Sequence, residues 1–201
     1  MGIWLASGTT NSIIENNVLH DIKYTETNGY GGKGVAISTG LPASNNTIKN
    51  NMIYAITGDG DDYNNFGAAF CPVGIYAYGV GQGGVNIYHN SVYLTAPNTL
   101  NHNIAYSIGI ALDNNTKANI KNNLIYNQLG RIGGNNVGAT AIAAQTNASQ
   151  FTSLNYNNYV TTATGGLTNS IGKIAGTDYT TLANWQTATG QEANSLSVTP
   201  A

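Results

Sequence analysis

A short motif of the form Ile-x-Asn-Asn-x-hydrophobic-Tyr recurs along the chain, and its spacing constrains the fold more than any other feature. Copies begin at Ile14, Ile48, Ile87 and Ile120, and a weaker fifth copy begins at Leu154. The steps between these five positions are 34, 39, 33 and 34 residues. Periods of this length are typical of solenoids and arrays. The sequence therefore predicts a stack of similar coils.

A second recurring piece precedes each copy of the motif. It has a small residue followed by alternating apolar positions, and it begins at Gly2, Gly34, Gly74, Gly109 and Ala141. Alternation of this kind predicts a β-strand with one buried face. Each coil is thus expected to contain several short strands.

The composition supports β structure with many turns. Charged residues make up only 8% of the 201 residues, whereas ordinary globular proteins have about 25%. Polarity comes instead from Asn, Thr, Ser and Gly, which favour turns over helices. With 41% hydrophobic residues, the chain can bury a sizeable core as one elongated domain.

Charge and hydropathy exclude some classes of function. The net charge is −2 and the seven Lys and Arg residues are scattered, so we expect no nucleic-acid partner. No apolar run reaches the roughly 18 residues needed to span a bilayer. The single Cys71 excludes an internal disulfide framework.

The asparagines of the motif predict a hydrogen-bonded column. Asparagine tolerates left-handed backbone geometry at a tight corner, and its amide both donates and accepts hydrogen bonds. If the coils stack in register, equivalent side chains can bond from layer to layer. The expected ladder residues are Asn17, Asn51, Asn90, Asn123 and Asn157.

These features resemble the right-handed parallel β-helix of the pectin-lyase-like proteins. The resemblance covers residues 1–162 and implies an all-β solenoid of about five coils. The period is longer than a minimal coil, so insertions are expected at 23–33, 57–73, 96–108 and 130–140, all on one side. Residues 163–201 are expected to form a closing segment with a short helix near 180–189, capped by Asp178 or Thr180 and ended by Gly190.

The resemblance also has implications for the source of the protein. The closing segment is similar to modules that follow such coils in large secreted bacterial proteins. We therefore expect an extracellular or cell-surface location, and other domains in a longer chain.

Aromatic side chains provide the first candidate ligand-binding residues. His20, Tyr54, Tyr93 and Tyr126 share one repeat position and should form a file. If their neighbours point inward, strand alternation directs the rings to solvent, where they could contact sugars. The opposite register would make the file a core stack. Tyr63 and Phe66, in an inserted loop, are further candidates that could equally pin the loop to the coil.

The one acidic cluster lies in the same loop. Asp59, Asp61 and Asp62 stand among glycines, and Ca²⁺ binds several oxygen ligands from such loops. The spacing differs from that of an EF-hand, so a solvated turn is the alternative. Asp113, at the start of Asp-Asn-Asn-Thr, is interpreted as a turn former.

No catalytic residues can be assigned from the sequence. Hydrolases of polysaccharides need paired carboxylates, and most of the nine acidic residues stand alone. Our first hypothesis is a non-catalytic segment that acts as a rigid stalk, an adhesive or a glycan-contacting surface. The alternative is a polysaccharide lyase or glycoside hydrolase whose catalytic residues lie mostly elsewhere. An ice-binding solenoid is disfavoured because no regular Thr-x-Thr array is present.

Overall fold

The computed structural model describes residues 1–6, 8–26, 30–38, 45–58, 70–79, 84–95, 106–113, 116–129, 138–163 and 168–200. These residues form a parallel β-solenoid with three sheets, as predicted. The chain makes about four turns. This is slightly fewer than the five coils expected.

Sheet A contains the longest strands. Its order is β1-β4-β7-β10-β13-β16-β17, and only the last pair is antiparallel. The strands are β1 Ile3–Leu5, β4 Lys33–Ser38, β7 Val73–Tyr78, β10 Tyr106–Asp113, β13 Gly138–Ala144, β16 Thr168–Ile174 and β17 Thr177–Tyr179.

Sheets B and C are both parallel and have five strands each. Sheet B consists of β2 Ile13–Glu15, β5 Asn46–Lys49, β8 Val85–Tyr88, β11 Ala118–Lys121 and β14 Phe151–Asn155. Sheet C consists of β3 Val18–His20, β6 Met52–Tyr54, β9 Ser91–Leu94, β12 Leu124–Asn127 and β15 Asn158–Thr161. Each predicted insertion follows a strand of sheet C, but its last one to three residues belong to the next strand of sheet A.

Each copy of the motif forms two strands and the corner between them. The side chain of the first apolar residue of each copy points from sheet B into the core, and that of the last apolar residue points from sheet C into the core. The corner requires one residue with left-handed φ, between 54° and 61°, and the residues are Asn16, Asn50, His89, Asn122 and Tyr156. This residue precedes the ladder asparagine, whereas the sequence analysis placed both roles on one asparagine position.

One hydrophobic core fills the space between the three sheets. Sheet B contributes a file of Ile and Leu side chains in register: Ile14, Ile48, Ile87, Ile120 and Leu154. Sheet C contributes the parallel file of Leu19, Ile53, Val92, Ile125 and Tyr159. The 33- to 39-residue steps read from the sequence are therefore the steps between stacked layers.

Glycines in sheet A let sheet C approach closely. A Cβ at Gly74 would lie 2.4 Å from Cγ1 of Val92 and 2.7 Å from the carbonyl oxygen of Gly109. Such distances are much shorter than normal van der Waals contact, and Gly34 and Gly109 have equivalent surroundings. The repeated Gly in the sequence therefore has a packing role.

The C-terminal segment covers one end of the solenoid. After β17, a short helix α1 spans Leu182–Thr189, and a 3₁₀ turn at Ala148–Gln150 lies against it. The helix begins at the N-cap Thr181, whose side chain accepts a hydrogen bond from the backbone N of Asn184. The predicted caps Asp178 and Thr180 are wrong, because Asp178 belongs to β17. Gly190 ends the helix in left-handed geometry, as predicted.

The tail after α1 pairs with the last strands of sheets B and C. Leu196 N donates to Asn157 O at 2.8 Å, and Tyr159 N donates to Leu196 O at 3.0 Å. The Gln191 side chain bonds to the backbone of Phe151 and Leu154. Because open strand edges invite pairing with other chains, this tail protects the C-terminal end of the solenoid.

Candidate functional site

The asparagine ladder predicted from the sequence is confirmed in every layer. Nδ2 of each ladder residue donates to Oδ1 of the next at 3.0 to 3.1 Å, in the order Asn17, Asn51, Asn90, Asn123 and Asn157. The backbone N of each donor residue also bonds to that Oδ1, at 2.9 to 3.1 Å. The ladder makes the corner between sheets B and C rigid.

The ladder ends at a hydroxyl group. Asn157 N donates to Oγ of Ser195 at 2.9 Å, where earlier layers use an asparagine Oδ1. Ser195 Oγ then donates to the Glu192 carboxylate. The tail therefore terminates the column instead of extending it.

The outward side of sheet C carries the aromatic file. His20, Tyr54, Tyr93 and Tyr126 pair in register. The residues before them, Leu19, Ile53, Val92 and Ile125, point into the core. The rings therefore point to solvent, which is the outward of the two registers considered from the sequence, and 43% of the Tyr93 surface is exposed.

A second row on the same side of sheet C is apolar in several layers. Val18 and Met52 are each more than half exposed, and Leu124 is partly exposed. We call the surface formed by this row and the aromatic file the sheet C face. It consists of Val18, His20, Met52, Tyr54, Tyr93, Leu124 and Tyr126. Ser91 interrupts the apolar row between Met52 and Leu124, and the aromatic file runs beside it through all four layers.

The rings of the sheet C face present their edges more than their flat sides. The His20 and Tyr54 rings stack at 4.9 Å with an interplanar angle of only 8°. Tyr93 and Tyr126 lie 5.0 Å apart but are tilted by 49°, so part of a ring face is open there. Tyr126 Oη accepts a hydrogen bond from Gln128 Nε2 at 2.9 Å. The Tyr93 and Tyr126 pair is thus the best contact point for a flat ligand.

Charge is confined to one end of the sheet C face. Nδ1 of His20 lies 2.8 Å from Oδ2 of Asp21, and Lys23 Nζ lies 3.8 Å from Asp21 Oδ1. The hydrogen bond with His20 lowers the pKa of Asp21, and nearby Lys23 adds to the effect. The rest of the face is uncharged.

The outward side of sheet A carries a buried polar cluster that the sequence analysis missed. Lys33 is only 2% exposed, and its Nζ donates to the carbonyl oxygens of Gly31 and Cys71. Burial lowers the pKa of Lys33 to about 8. Lysine in a strand usually indicates a solvated position, so this burial could not be predicted from the residue type.

Two acidic residues join this side of sheet A. Tyr76 donates its hydroxyl to Oδ2 of Asp113 at 2.8 Å, and Asp113 is buried at the end of β10. Asp113 is therefore more than the turn former predicted. Lys173 lies 3.4 Å from Asp178 and 4.4 Å from the centre of the Tyr106 ring. These contacts join strands of sheet A to one another.

A buried carboxylate lies under the tail. Glu192 accepts hydrogen bonds from the Tyr159 hydroxyl, the Ser195 hydroxyl and Trp185 Nε1. Burial raises the pKa of Glu192, and it also raises the pKa of the Tyr159 hydroxyl. Since every neighbour donates to it, this carboxylate holds the cap in place.

Several predicted site residues lie outside the described residues. They are Asp59, Asp61, Asp62, Tyr63 and Phe66, so the proposed Ca²⁺ loop stays a prediction. Within the described part of the chain, no group of three or more His, Cys, Asp or Glu side chains is placed to hold a metal ion. No described helix has the length and apolar character to cross a membrane.

Compared with known proteins, the chain matches no family model, no curated protein and no solved structure.

Proposed function

We propose that the chain is a non-catalytic β-solenoid segment that acts as a rigid stalk and contacts glycans through the sheet C face. The observation that carries this proposal is the exposed file of rings on a stiff parallel sheet, beside the apolar row at Val18, Met52 and Leu124.

The chemistry of the face favours a polar, uncharged ligand. Aromatic edges, hydroxyl groups and amides form contacts with sugars or polar protein surfaces at low cost in conformational entropy. Away from the His20 end, the described residues of the face carry no charge that would attract an acidic polymer. Neutral polysaccharide is therefore the proposed ligand.

We extend the proposal to the origin of the protein. The repeated Gly-Ile strand, the motif and the ladder support a right-handed, pectin-lyase-like β-helix from a secreted or cell-surface bacterial protein. In that setting, the stacked layers would form a spacer that holds the sheet C face away from the cell.

Affinity electrophoresis in gels that contain neutral or acidic polysaccharides tests the ligand. We expect a neutral polysaccharide to retard the protein, and Tyr93→Ala to weaken the binding about tenfold, which corresponds to roughly 1.4 kcal/mol. Tyr88→Ala, on the outer side of sheet B, is the matched control and should bind normally. Equal retardation of both variants, or no retardation in any gel, would contradict the glycan surface. Release of reducing ends or unsaturated products would contradict the non-catalytic assignment.

A further inference from the structure

A separate groove lies at the capped end of the solenoid, beside the corner between sheets B and C. It is open and has a volume of about 470 Å³. Three segments form it: the corners of the last two layers, at 122–124 and 156–158, and the tail at 194–200. It adjoins the sheet C face at Leu124. Its size falls in the lower part of the range of about 300–1,000 Å³ that is usual for small-molecule sites.

The walls of the groove are held in place by backbone hydrogen bonds. Leu196 pairs with Asn157 and Tyr159 in the manner of a strand. The Asn158 carboxamide bonds to both the N and the O of Val198, at 3.0 and 2.9 Å. The groove is therefore formed before a ligand arrives, which reduces the entropy cost of binding.

The surface of the groove combines an apolar platform with free carboxamides. Tyr156 is 55% exposed and Leu196 is 54% exposed, and Leu124 and Pro200 extend the apolar part. The carboxamides of Asn122 and Asn194 are exposed and make no hydrogen bond to the described part of the chain.

The lining selects one class of ligand. Among the described residues, no acidic or basic side chain lines the groove, so phosphate and carboxylate groups would find no cation there. An acyl chain would leave the carboxamides unused. A neutral pyranose has an apolar side for the Tyr156 ring and a rim of hydroxyl groups for the amides.

We propose that this groove binds a short neutral saccharide, with a sugar ring on Tyr156 and Leu196 and its hydroxyl groups bonded to Asn122 and Asn194. The class of ligand rests on the proposed function, but the site is distinct from the aromatic file. The groove would bind the end of a glycan, and the sheet C face would contact its length.

The test is an NMR titration of the ¹⁵N-labelled full chain. The probes are the methyl glycosides of glucose, galactose, mannose and N-acetylglucosamine, with glucuronate as the charged comparison. We expect at least one neutral glycoside to shift the amide signals of 122–124, 156–158 and 194–198. We expect Tyr156→Ala to weaken its binding about tenfold, and Asn194→Ala to weaken it several-fold.

Two controls separate this site from the sheet C face. Tyr93→Ala should weaken polysaccharide retention about tenfold and keep glycoside binding, and Tyr88→Ala should keep both. The groove assignment is overturned if no neutral glycoside shifts these signals, if glucuronate binds as well, or if Tyr156→Ala binds normally. If Tyr93→Ala weakens polysaccharide retention but no glycoside shifts the amide signals of the groove, the proposed function is upheld and the saccharide site in the groove is rejected. The dispersion of the amide signals in each spectrum also checks that the variant is folded.

Discussion

Asparagine has two distinct roles at the corner between sheets B and C. The first asparagine of the motif accepts the left-handed backbone, and its repeat position tolerates His89 and Tyr156 as well. The second is buried in layers two to five, and it passes a hydrogen bond to each next layer. The first role is conformational, so several residue types can fill it. The second needs a donor and an acceptor on one short side chain, so it is filled by asparagine alone.

Replacing a ladder residue should therefore be costly. Asn123→Leu removes the acceptor for the backbone and side chain of Asn90, and it removes the donor to Asn157. Asn90 Nδ2 keeps its bonds to the carbonyl oxygens of Ile48 and Tyr88, and Asn157 Oδ1 keeps its bond from the backbone N at position 123. The buried backbone N of Asn90 is left without a partner, which costs about 1–3 kcal/mol, so we expect the free energy of unfolding in urea to fall by about that amount.

Glu15→Gln is the control, because its 3.0 Å pair with Lys49 is exposed and such pairs contribute about 0–1 kcal/mol. Similar losses in both variants would argue against the ladder.

The buried amino group of Lys33 should make stability depend on pH. Its pKa is about 8 in the folded chain, lowered by burial from 10.5. Between these values the unfolded chain binds more protons, so the contribution of Lys33 to the free energy of unfolding rises with pH and is lost as pH falls through 8. From pH 8 to pH 10 we expect wild type to gain about 2 kcal/mol relative to Lys33→Met. Urea unfolding at both pH values measures this difference. Lys49→Met, at an exposed lysine, should follow wild type; parallel curves for Lys33→Met would contradict the prediction.

At the scale of elements, the repeat could be predicted, whereas of the single-copy parts only helix α1 could, from Gly190 at its C-terminal end. Five copies of one pattern gave the strands, their register and the ladder, because a chance match becomes improbable when it recurs at a constant step. Strand β17 and the tail pairing at Leu196 occur once, so no repetition distinguished them from loop. The same holds for Lys33, whose buried amino group bonds to the carbonyl oxygens of Gly31 and Cys71, outside the repeated motif. Alternation placed the tyrosines in one file but left the outward and the core register both open, and the parallel stacking of His20 on Tyr54 depends on side-chain rotamers that sequence does not reveal.

The cap element depends on one tryptophan. Trp185 is fully buried, and its ring meets those of Phe151 and Tyr179 at 5.5 and 5.8 Å. It also fills the space above Gly172. Trp185→Ala should lower the free energy of unfolding by about 3–5 kcal/mol, the usual cost of truncating a large buried side chain. Asn184→Ala, at the exposed neighbouring position, should change it by less than about 0.5 kcal/mol. Thermal and urea unfolding of both variants checks this, and equal stability would show that the helix is not needed to close the core.

At the scale of the whole molecule, the two ends of the solenoid differ. Strands β1, β2 and β3 stand at one end of their sheets, and Trp4, Ile13 and Val18 of this layer are more than half exposed. The opposite end is covered by β17, α1 and the tail. In a stack where each layer contacts only its neighbours, stability is a sum of layer and interface terms. The layer with one neighbour and exposed apolar side chains should therefore open first.

Native-state hydrogen exchange can follow this gradient through chemically equivalent bonds. In each of four layers, the backbone amide of the ladder residue donates to the next ladder Oδ1; the residues are Asn17, Asn51, Asn90 and Asn123. Because the four hydrogen bonds are equivalent, differences in their exchange rates reflect the stability of each layer. We expect the free energy of opening to be smallest at Asn17, and to approach the global value at Asn90 and Asn123. In Trp185→Ala, exchange should accelerate at Asn157, whose amide bonds to Ser195, while Asn17 keeps its wild-type rate. Equal opening free energies in all layers would mean that the solenoid unfolds as one unit and that its covered end gives no local protection.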